Sequence, residues 1–89
     1  MKPEFTSRFI QDLKKIQNPK IKDDILRIID DCELATKPTE IKNIRKLKGY
    51  DCFFRINVGS YRIGISIEKE LIIFSRCLPR KDIYKYFPD

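Results

Sequence analysis

Four residues in the C-terminal half of the chain carry groups that bind phosphate or stack on a base: Arg55, Arg62, Arg80 and Tyr84. A guanidinium presents a planar fork of N–H donors to phosphate oxygens, and a tyrosine ring stacks on a nucleobase. The chain contains no histidine. These groups predict a surface that binds the phosphates of a nucleic acid, and we expect that nucleic acid to be RNA.

Further polar residues are expected on or around the same surface: Lys48, Asn57, Arg76 and Lys81. The chain holds 19 basic and 13 acidic residues, for a net charge of +6. In a small protein this excess favours a polyanion or an acidic protein partner. A solvated basic surface with no ligand is the alternative, and charge alone barely separates the two.

A strand pair is predicted to position the first two arginines. Residues 52–58 and residues 61–67 each alternate apolar and polar side chains, with Gly59 and Ser60 as a two-residue turn between them. Arg55 and Arg62 point outward in this pattern. We expect them to lie close together across the hairpin.

The remaining elements follow from periodicity and from helix-ending residues. Apolar residues at helical spacing predict a helix over residues 7–17 and a second one from Pro19 that fades near residues 35–37. Only Asn18 and Pro19 separate them, so an antiparallel helical hairpin is expected. An edge strand, a central strand and a last short helix are predicted over residues 44–48, 71–77 and 81–87. The fold class is α+β, with the hairpin packed on a three- to four-stranded antiparallel sheet.

Length and composition limit the other possibilities. Eighty-nine residues predict one small domain, residues 1–89. Cys32, Cys52 and Cys77 show no CxxC spacing and no histidine can complete a zinc site, so neither a metal nor a cofactor is expected. The longest apolar run, residues 71–74, is far too short to span a membrane, and the N-terminus does not resemble a signal peptide. We expect a cytoplasmic protein.

Three segments in order carry a resemblance to a known family: residues 46–49 (KLKG), 54–63 (FRINVGSYRI) and 80–84 (RKDIY). The second is similar to the strand pair yRirvGdYRiiy, and the third to the ending hRkdiY, of RelE/ParE superfamily toxins from bacterial type II toxin–antitoxin modules. The likeness extends to the apolar pattern of the first helix and covers nearly the whole chain. Many family members carry a strand before that helix. We expect this strand to be short or absent here, because the sequence starts almost at the helix.

The resemblance implies a RelE-like toxin that cuts messenger RNA on the ribosome and thereby inhibits translation. The implied reaction needs no metal, since the 2′-hydroxyl of the RNA attacks the adjacent phosphate. Two alternatives stay open: a ParE-like inhibitor of DNA gyrase that is not an enzyme, and a weak or inactive homologue that binds an antitoxin. The implied partners are a cognate antitoxin, the ribosome with its messenger RNA, and operator DNA reached through the antitoxin. No membrane partner is implied.

The resemblance also implies roles for the four principal residues. Arg62 is expected to contact the scissile phosphate and Arg55 to assist it. Arg80 is expected to neutralise a phosphate or act near the leaving group, and Tyr84 to stack on a base or orient it. Because no histidine is present, the charged side chains would act mainly by electrostatic stabilisation.

Secondary phosphate contacts are expected from Lys48 and Lys81, with Arg76 on the same face. Two positions depart from the family pattern. Asn57 stands where the nucleases often carry a second lysine or arginine, and Pro79 stands where many related sequences have histidine. These departures keep the weak-toxin alternative open.

Overall fold

The computed structural model describes residues 1–88 and has an α+β architecture. The described residues form the strands β1 (Lys2–Phe5), β2 (Ile44–Lys46), β3 (Phe53–Val58), β4 (Tyr61–Glu68) and β5 (Leu71–Pro79), the helices α1 (Ser7–Lys15), α2 (Pro19–Leu34) and α3 (Arg80–Tyr86), and a 3-10 turn (Pro38–Glu40). The strands make one sheet in the order β1-β5-β4-β3-β2. The predicted α+β class is therefore correct. β5, predicted to be central, is an interior strand between β1 and β4, and β4 is the middle strand of the five.

The sheet is mixed and larger than expected, because a strand precedes α1. β1 pairs in parallel with the first half of β5, from Lys2 opposite Leu71 to Phe5 opposite Phe74. The first strand is present but short, with four residues, and the expectation of a purely antiparallel sheet is wrong. β1 carries no apolar alternation, since most of its side chains are exposed at the sheet edge. Its partner also lies about seventy residues further along the chain, beyond the range of local sequence signals.

The two N-terminal helices form where expected but pack differently. Thr6 caps α1 by accepting from the Phe9 N–H, and Asn18 caps α2 by accepting from the Lys20 and Ile21 N–H groups. The main contacts of α1 are with β5, and those of α2 are with β1 and β3. The hairpin expectation is thus corrected: each helix packs on the sheet rather than chiefly on the other helix.

The main core lies between these helices and one face of the sheet. Phe9 of α1 and Ile25 of α2 are fully buried against residues such as Ile56, Ile63 and Phe74. Ile56 and Ile63 are on the inward side that the alternation predicted. Within residues 1–88, no helix is long and apolar enough to cross a membrane.

The helix α3 covers the opposite face of the sheet. Phe87, at the end of α3, is only 7 % exposed and packs on Gly64 of β4. A Cβ on Gly64 would lie 2.5 Å from the Phe87 Cγ, so only glycine fits under this ring. Phe53 of β3 meets the same ring edge-on, with centroids 5.7 Å apart. Gly64 and Ser66 of β4 are both buried on this face, and Gly64 anchors α3.

Candidate functional site

Arg55 and Tyr84 meet where α3 crosses the outward face of β3. The Arg55 Cζ lies 4.9 Å from the centroid of the Tyr84 ring, which is a cation–π contact. Arg55 is half-buried, whereas Tyr84 is 66 % exposed. Register places Arg55 opposite Gly64, next to the surface that holds Phe87. The anchoring of α3 by Phe87 therefore holds the Tyr84 ring against Arg55.

An open cleft of about 600 Å³ lies on one side of Tyr84, and we refer to it as the β2 cleft. Its walls are Arg45, Lys46, Leu47, Lys48, Arg55 and Tyr84. Among residues 1–88, the buried Nε of Arg55 has no hydrogen-bond partner. The cleft thus combines four cationic side chains, an aromatic ring and an unsatisfied donor, and the walls include the predicted residues Lys48, Arg55 and Tyr84.

A second open cleft of about 480 Å³ lies on the other side of the same ring, and we refer to it as the turn cleft. Its walls are Ser60, Pro79, Arg80, Lys81 and Tyr84. The predicted residues Arg80 and Lys81 are exposed at the start of α3, and Pro79 precedes them as the last residue of β5. Tyr84 consequently stands between two basic clefts and lines both.

Arg62 and Asn57 lie directly opposite each other on β4 and β3. This register confirms that Arg55 and Arg62 are diagonal neighbours across the hairpin. The Arg62 Nη1 donates to the carbonyl oxygens of Gly59 and Tyr61, each at 2.8 Å, so the guanidinium folds back on the turn and lines neither cleft. The Oδ1 of Asn57 is buried, with no hydrogen-bond partner among the described residues.

Arg76 lies away from both clefts. Its Nε donates to the Asp12 Oδ2 at 2.8 Å and its Nη2 donates to the Asp12 Oδ1 at 3.1 Å. The same Asp12 Oδ2 accepts from the Cys77 N–H at 2.9 Å, and the Arg76 guanidinium lies 5.5 Å from the Tyr86 ring centroid. This bidentate ion pair joins α1 to β5. It gives Arg76 a structural role, and its predicted contact with RNA gains no support from the geometry.

The sequence reasoning missed Arg45 and Lys46 as candidate site residues. Arg45 lies directly opposite Arg55 in the antiparallel pairing of β2 and β3. The alternation of Ile44, Arg45 and Lys46 was a usable signal, because it sets Arg45 on the outward face. The register was not available from the sequence, since a loop of six residues, 47–52, joins the two strands instead of a tight turn.

The arrangement is suited to binding a phosphate chain and stabilising negative charge on it. Cations on both sides of an exposed ring match a strand in which phosphates alternate with stackable bases. Across residues 1–88, no group of three or more cysteine, aspartate or glutamate side chains is placed to hold a metal ion. The chemistry that these residues offer is electrostatic and positional.

Comparison with known proteins gives the same fold and ordering of elements. The family model for the ParE toxin of type II toxin–antitoxin systems matches residues 4–84. The toxin RelE3 of Methanocaldococcus jannaschii is 44 % identical over 89 residues, which are 99 % of this chain and 100 % of that protein.

Solved structures of antitoxin–toxin complexes contain chains with the same fold. The crystal structure of a RelB–RelE antitoxin–toxin complex from Methanococcus jannaschii includes a chain that is 42 % identical, with a TM-score of 0.79 over 94 % of this chain and 98 % of that one. An archaeal RelE–RelB complex from Pyrococcus horikoshii shares the fold at 20 % identity, with a TM-score of 0.74 over 89 % and 93 % of the two chains. The chain belongs to the ParE toxin family of type II toxin–antitoxin systems.

Proposed function

We propose that this toxin is a ribosome-dependent messenger-RNA endonuclease that stops translation. The observation that carries the proposal is the exposed Tyr84 ring, which lies on the Arg55 guanidinium between two basic clefts. A ring in that position can stack on one base while cations on either side bind the flanking phosphates. The similarity to RelE proteins supports this reading over a general affinity for polyanions.

In the proposed reaction the 2′-oxygen of one nucleotide forms a bond to the adjacent phosphorus. The bond from phosphorus to the 5′-oxygen breaks, leaving a cyclic phosphate. The 2′-hydroxyl loses a proton and the 5′-oxygen gains one, so no metal or redox partner is required. Arg62 and Arg80 stabilise the additional negative charge on the scissile phosphate, Arg55 assists them by binding the RNA strand beside it, and Tyr84 orients the base. Arg62 reaches the phosphate by exchanging its contacts with the turn carbonyls, which are exposed or only partly buried.

We propose further that a cognate antitoxin covers this surface and blocks it, and that the toxin acts in the cytoplasm. The relatives from Methanococcus jannaschii and Pyrococcus horikoshii were crystallised with RelB antitoxins. A net charge of +6 favours an acidic antitoxin segment that folds on binding. Contact with operator DNA would then be made through the antitoxin.

A second candidate is inhibition of DNA gyrase without catalysis. The match to the ParE toxin family model favours it. Arg62, held at the turn, and Asn57, in place of a second cation, also reduce the cationic set available for catalysis. This candidate predicts DNA damage signalling in cells while messages stay intact.

The test is a cell-free translation reaction with one defined message, in which primer extension maps the RNA ends. Wild-type protein is compared with Arg62→Ala, Arg80→Ala and the control Arg27→Ala. Arg27 is exposed on α2, on the far side of the sheet from α3, so its loss changes the net charge equally without touching the site. Cuts at ribosome-occupied codons that vanish in the first two variants and persist in the control support the proposal. Intact RNA with continued translation contradicts it and leaves gyrase as the target to assay next.

A further inference from the structure

We propose that Arg45 and Arg55 together form a phosphate-binding subsite in the β2 cleft, which holds an RNA backbone phosphate other than the one being cleaved. This inference rests on the proposed function and adds to it a binding residue, Arg45, outside the predicted set. Arg45 is a positioning residue for the RNA strand, and the chemistry at the scissile phosphate does not depend on it directly.

The pairing of the two arginines is the first argument. Arg45 and Arg55 lie directly opposite each other on neighbouring antiparallel strands. Opposite residues in such a pair have Cβ atoms about 5 Å apart, and like charges there destabilise the sheet. Within residues 1–88 neither guanidinium has a carboxylate in ion-pair contact. The two guanidinium groups repel each other, and no carboxylate of the described residues neutralises them. We therefore expect an anionic ligand to supply the negative charge.

The unsatisfied Nε of Arg55 is the second argument, and it is independent of charge. Buried donors with no partner are rare in folded proteins, and a bound ion or ligand is one of the explanations for them. The Arg55 Nε is buried and has no partner among the described residues. A phosphate in the β2 cleft would accept from the guanidinium of Arg55, whose side chain lines that cleft, and the facing Arg45 would bind a second oxygen of the same group.

The position of Tyr84 selects RNA over an acidic peptide as the occupant. The ring lies on Arg55 and also lines the turn cleft, so a strand stacked on it has one flanking phosphate in each cleft. An acidic peptide would match the charges but has no base to occupy the exposed ring face. The assignment therefore places the scissile phosphate nearer Arg62 and Arg80, and a neighbouring backbone phosphate at Arg45.

The experiment measures binding apart from cleavage. A fluorescent single-stranded RNA carrying 2′-O-methyl groups throughout cannot be cut, and its dissociation constant is measured by anisotropy across a series of salt concentrations. The proteins are wild type, Arg45→Ala, Arg45→Lys and the control Arg27→Ala. Arg45 is exposed, so the variants are expected to fold, and thermal unfolding checks this.

We expect Arg45→Ala to weaken RNA binding roughly five- to tenfold at low salt, by a similar factor for different RNA sequences. The slope of log affinity against log salt should fall in magnitude by about 0.7, as one phosphate contact is lost. Arg45→Lys should keep most of the slope because it keeps the charge. Arg27→Ala should match wild type.

Equal behaviour of Arg45→Ala and Arg27→Ala overturns the subsite, and so does a wild-type protein that does not bind the RNA at low salt. A third result against it is that Arg45→Ala weakens only the binding of the antitoxin. The cell-free cleavage reaction is scored separately. If the wild-type protein cleaves the message and Arg45→Ala binds RNA as tightly as wild type, the subsite is refuted and the nuclease function stands. If Arg45→Ala alone loses RNA binding and the wild-type protein does not cleave the message, the subsite stands and the nuclease function is refuted.

Discussion

Tyr84 is the residue at which the candidate site is most easily separated from the fold. Tyr84 is 66 % exposed and its ring contacts Arg55, so it contributes little to the core. By contrast, Asp12 is 5 % exposed and accepts hydrogen bonds from Arg76 and from the Cys77 backbone. Tyr84 is thus available to a ligand, whereas Asp12 accepts from a backbone N–H of β5 beyond the end of its pairing with β1.

Replacing Tyr84 should affect RNA far more than stability. We expect Tyr84→Ala to change the free energy of unfolding by less than about 1 kcal/mol, since exposed positions contribute little. RNA binding should weaken by about 1–3 kcal/mol, the usual value for one stacked base. Tyr84→Phe keeps the ring and should behave almost as wild type. Urea denaturation and anisotropy measure the two quantities, and unchanged binding by Tyr84→Ala would refute the stacking role.

Replacing Asp12 should show the opposite balance. Asp12→Asn keeps an acceptor for the Cys77 N–H but removes the carboxylate charge that holds the largely buried Arg76 guanidinium at two nitrogens. We expect a loss of about 3–5 kcal/mol in the free energy of unfolding, as is typical when one partner of a buried ion pair is removed. The control Lys20→Ala breaks the exposed Lys20–Asp24 pair, with a cost of about 0–1 kcal/mol. Similar urea midpoints for the two variants would show that the Asp12 pair is not a structural requirement.

The sequence predicted individual residues better than their partners. Alternation along residues 52–58 correctly set Arg55 outward, and the two-residue turn fixed its diagonal relation to Arg62. The Asp12–Arg76 pair joins residues 64 positions apart, and nothing local distinguishes Asp12 from the exposed acids of α2. β1 pairs with β5 only from Leu71 to Phe74, so the Cys77 N–H lies beyond the end of that pairing. Only the three-dimensional structure shows that Asp12 accepts from this N–H.

Among the elements, α3 is the one on which the site most depends. It brings Arg80, Lys81 and Tyr84 to the clefts, and it is held on the sheet by Ile83 and by Phe87 against Gly64. The β-bulge between Gly64 and Ile65 shifts the register of β4 against β5 just beside this contact. The orientation of α3 is therefore set by packing on one glycine.

A double-mutant cycle tests this contact. Gly64→Ala would place its Cβ within 2.5–2.8 Å of three Phe87 ring atoms, so the ring must move away from β4. We expect this to lower the free energy of unfolding by about 1–3 kcal/mol. Phe87→Ala alone should cost about 3–5 kcal/mol. In the Phe87→Ala background the glycine substitution should cost almost nothing, because the clash is gone. Urea denaturation gives the free energies and hydrogen exchange follows α3; additive effects would contradict the packing.

Elements were predictable where their pattern is local. The helices and the β3–β4 hairpin have caps, periodicity and a short turn, and they form within two residues of the expected bounds. β1 was missed because its pairing depends on a distant strand and its side chains face solvent. The packing of Phe87 on Gly64 was not predicted, because it depends on the close approach of α3 to β4 and leaves no local signal in the sequence.

At the scale of the whole molecule, two buried thiols connect stability with pH. Burial raises the pKa of the Cys32 thiol and that of the Cys77 thiol to about 12, from an ordinary value of 9.0. The carboxylates of Asp31 and Asp12 contribute smaller parts of these two increases. In the unfolded chain both thiols ionise near the ordinary value, so the unfolded state binds fewer protons at high pH. Stability is then fully present below about pH 9 and declines as pH rises towards about 12.

This dependence can be measured by removing one thiol. Between about pH 8 and pH 10, the wild-type protein should lose about 1 kcal/mol more of its free energy of unfolding than Cys77→Ala does. For each protein, the measured quantity is the change in the free energy of unfolding between the two pH values. Comparing this change between the two proteins cancels the lysine and tyrosine titrations that they share, and also the pH-independent cost of the small cavity in Cys77→Ala. Parallel pH curves for the two proteins would contradict the raised pKa of Cys77. Urea denaturation at each pH gives the values.

The parallel pairing of β1 with β5 has a consequence for how the toxin is made. β1 finds its partner only at Leu71–Phe74, and Thr6 and Asp12 bind Ser75 and Cys77 in turn. Contacts of such long sequence separation slow folding and cannot form while the C-terminal third of the chain is still inside the ribosome. We therefore expect that a nascent toxin stays harmless until its synthesis is nearly complete. An antitoxin present at that moment would meet the chain as it first assembles its clefts.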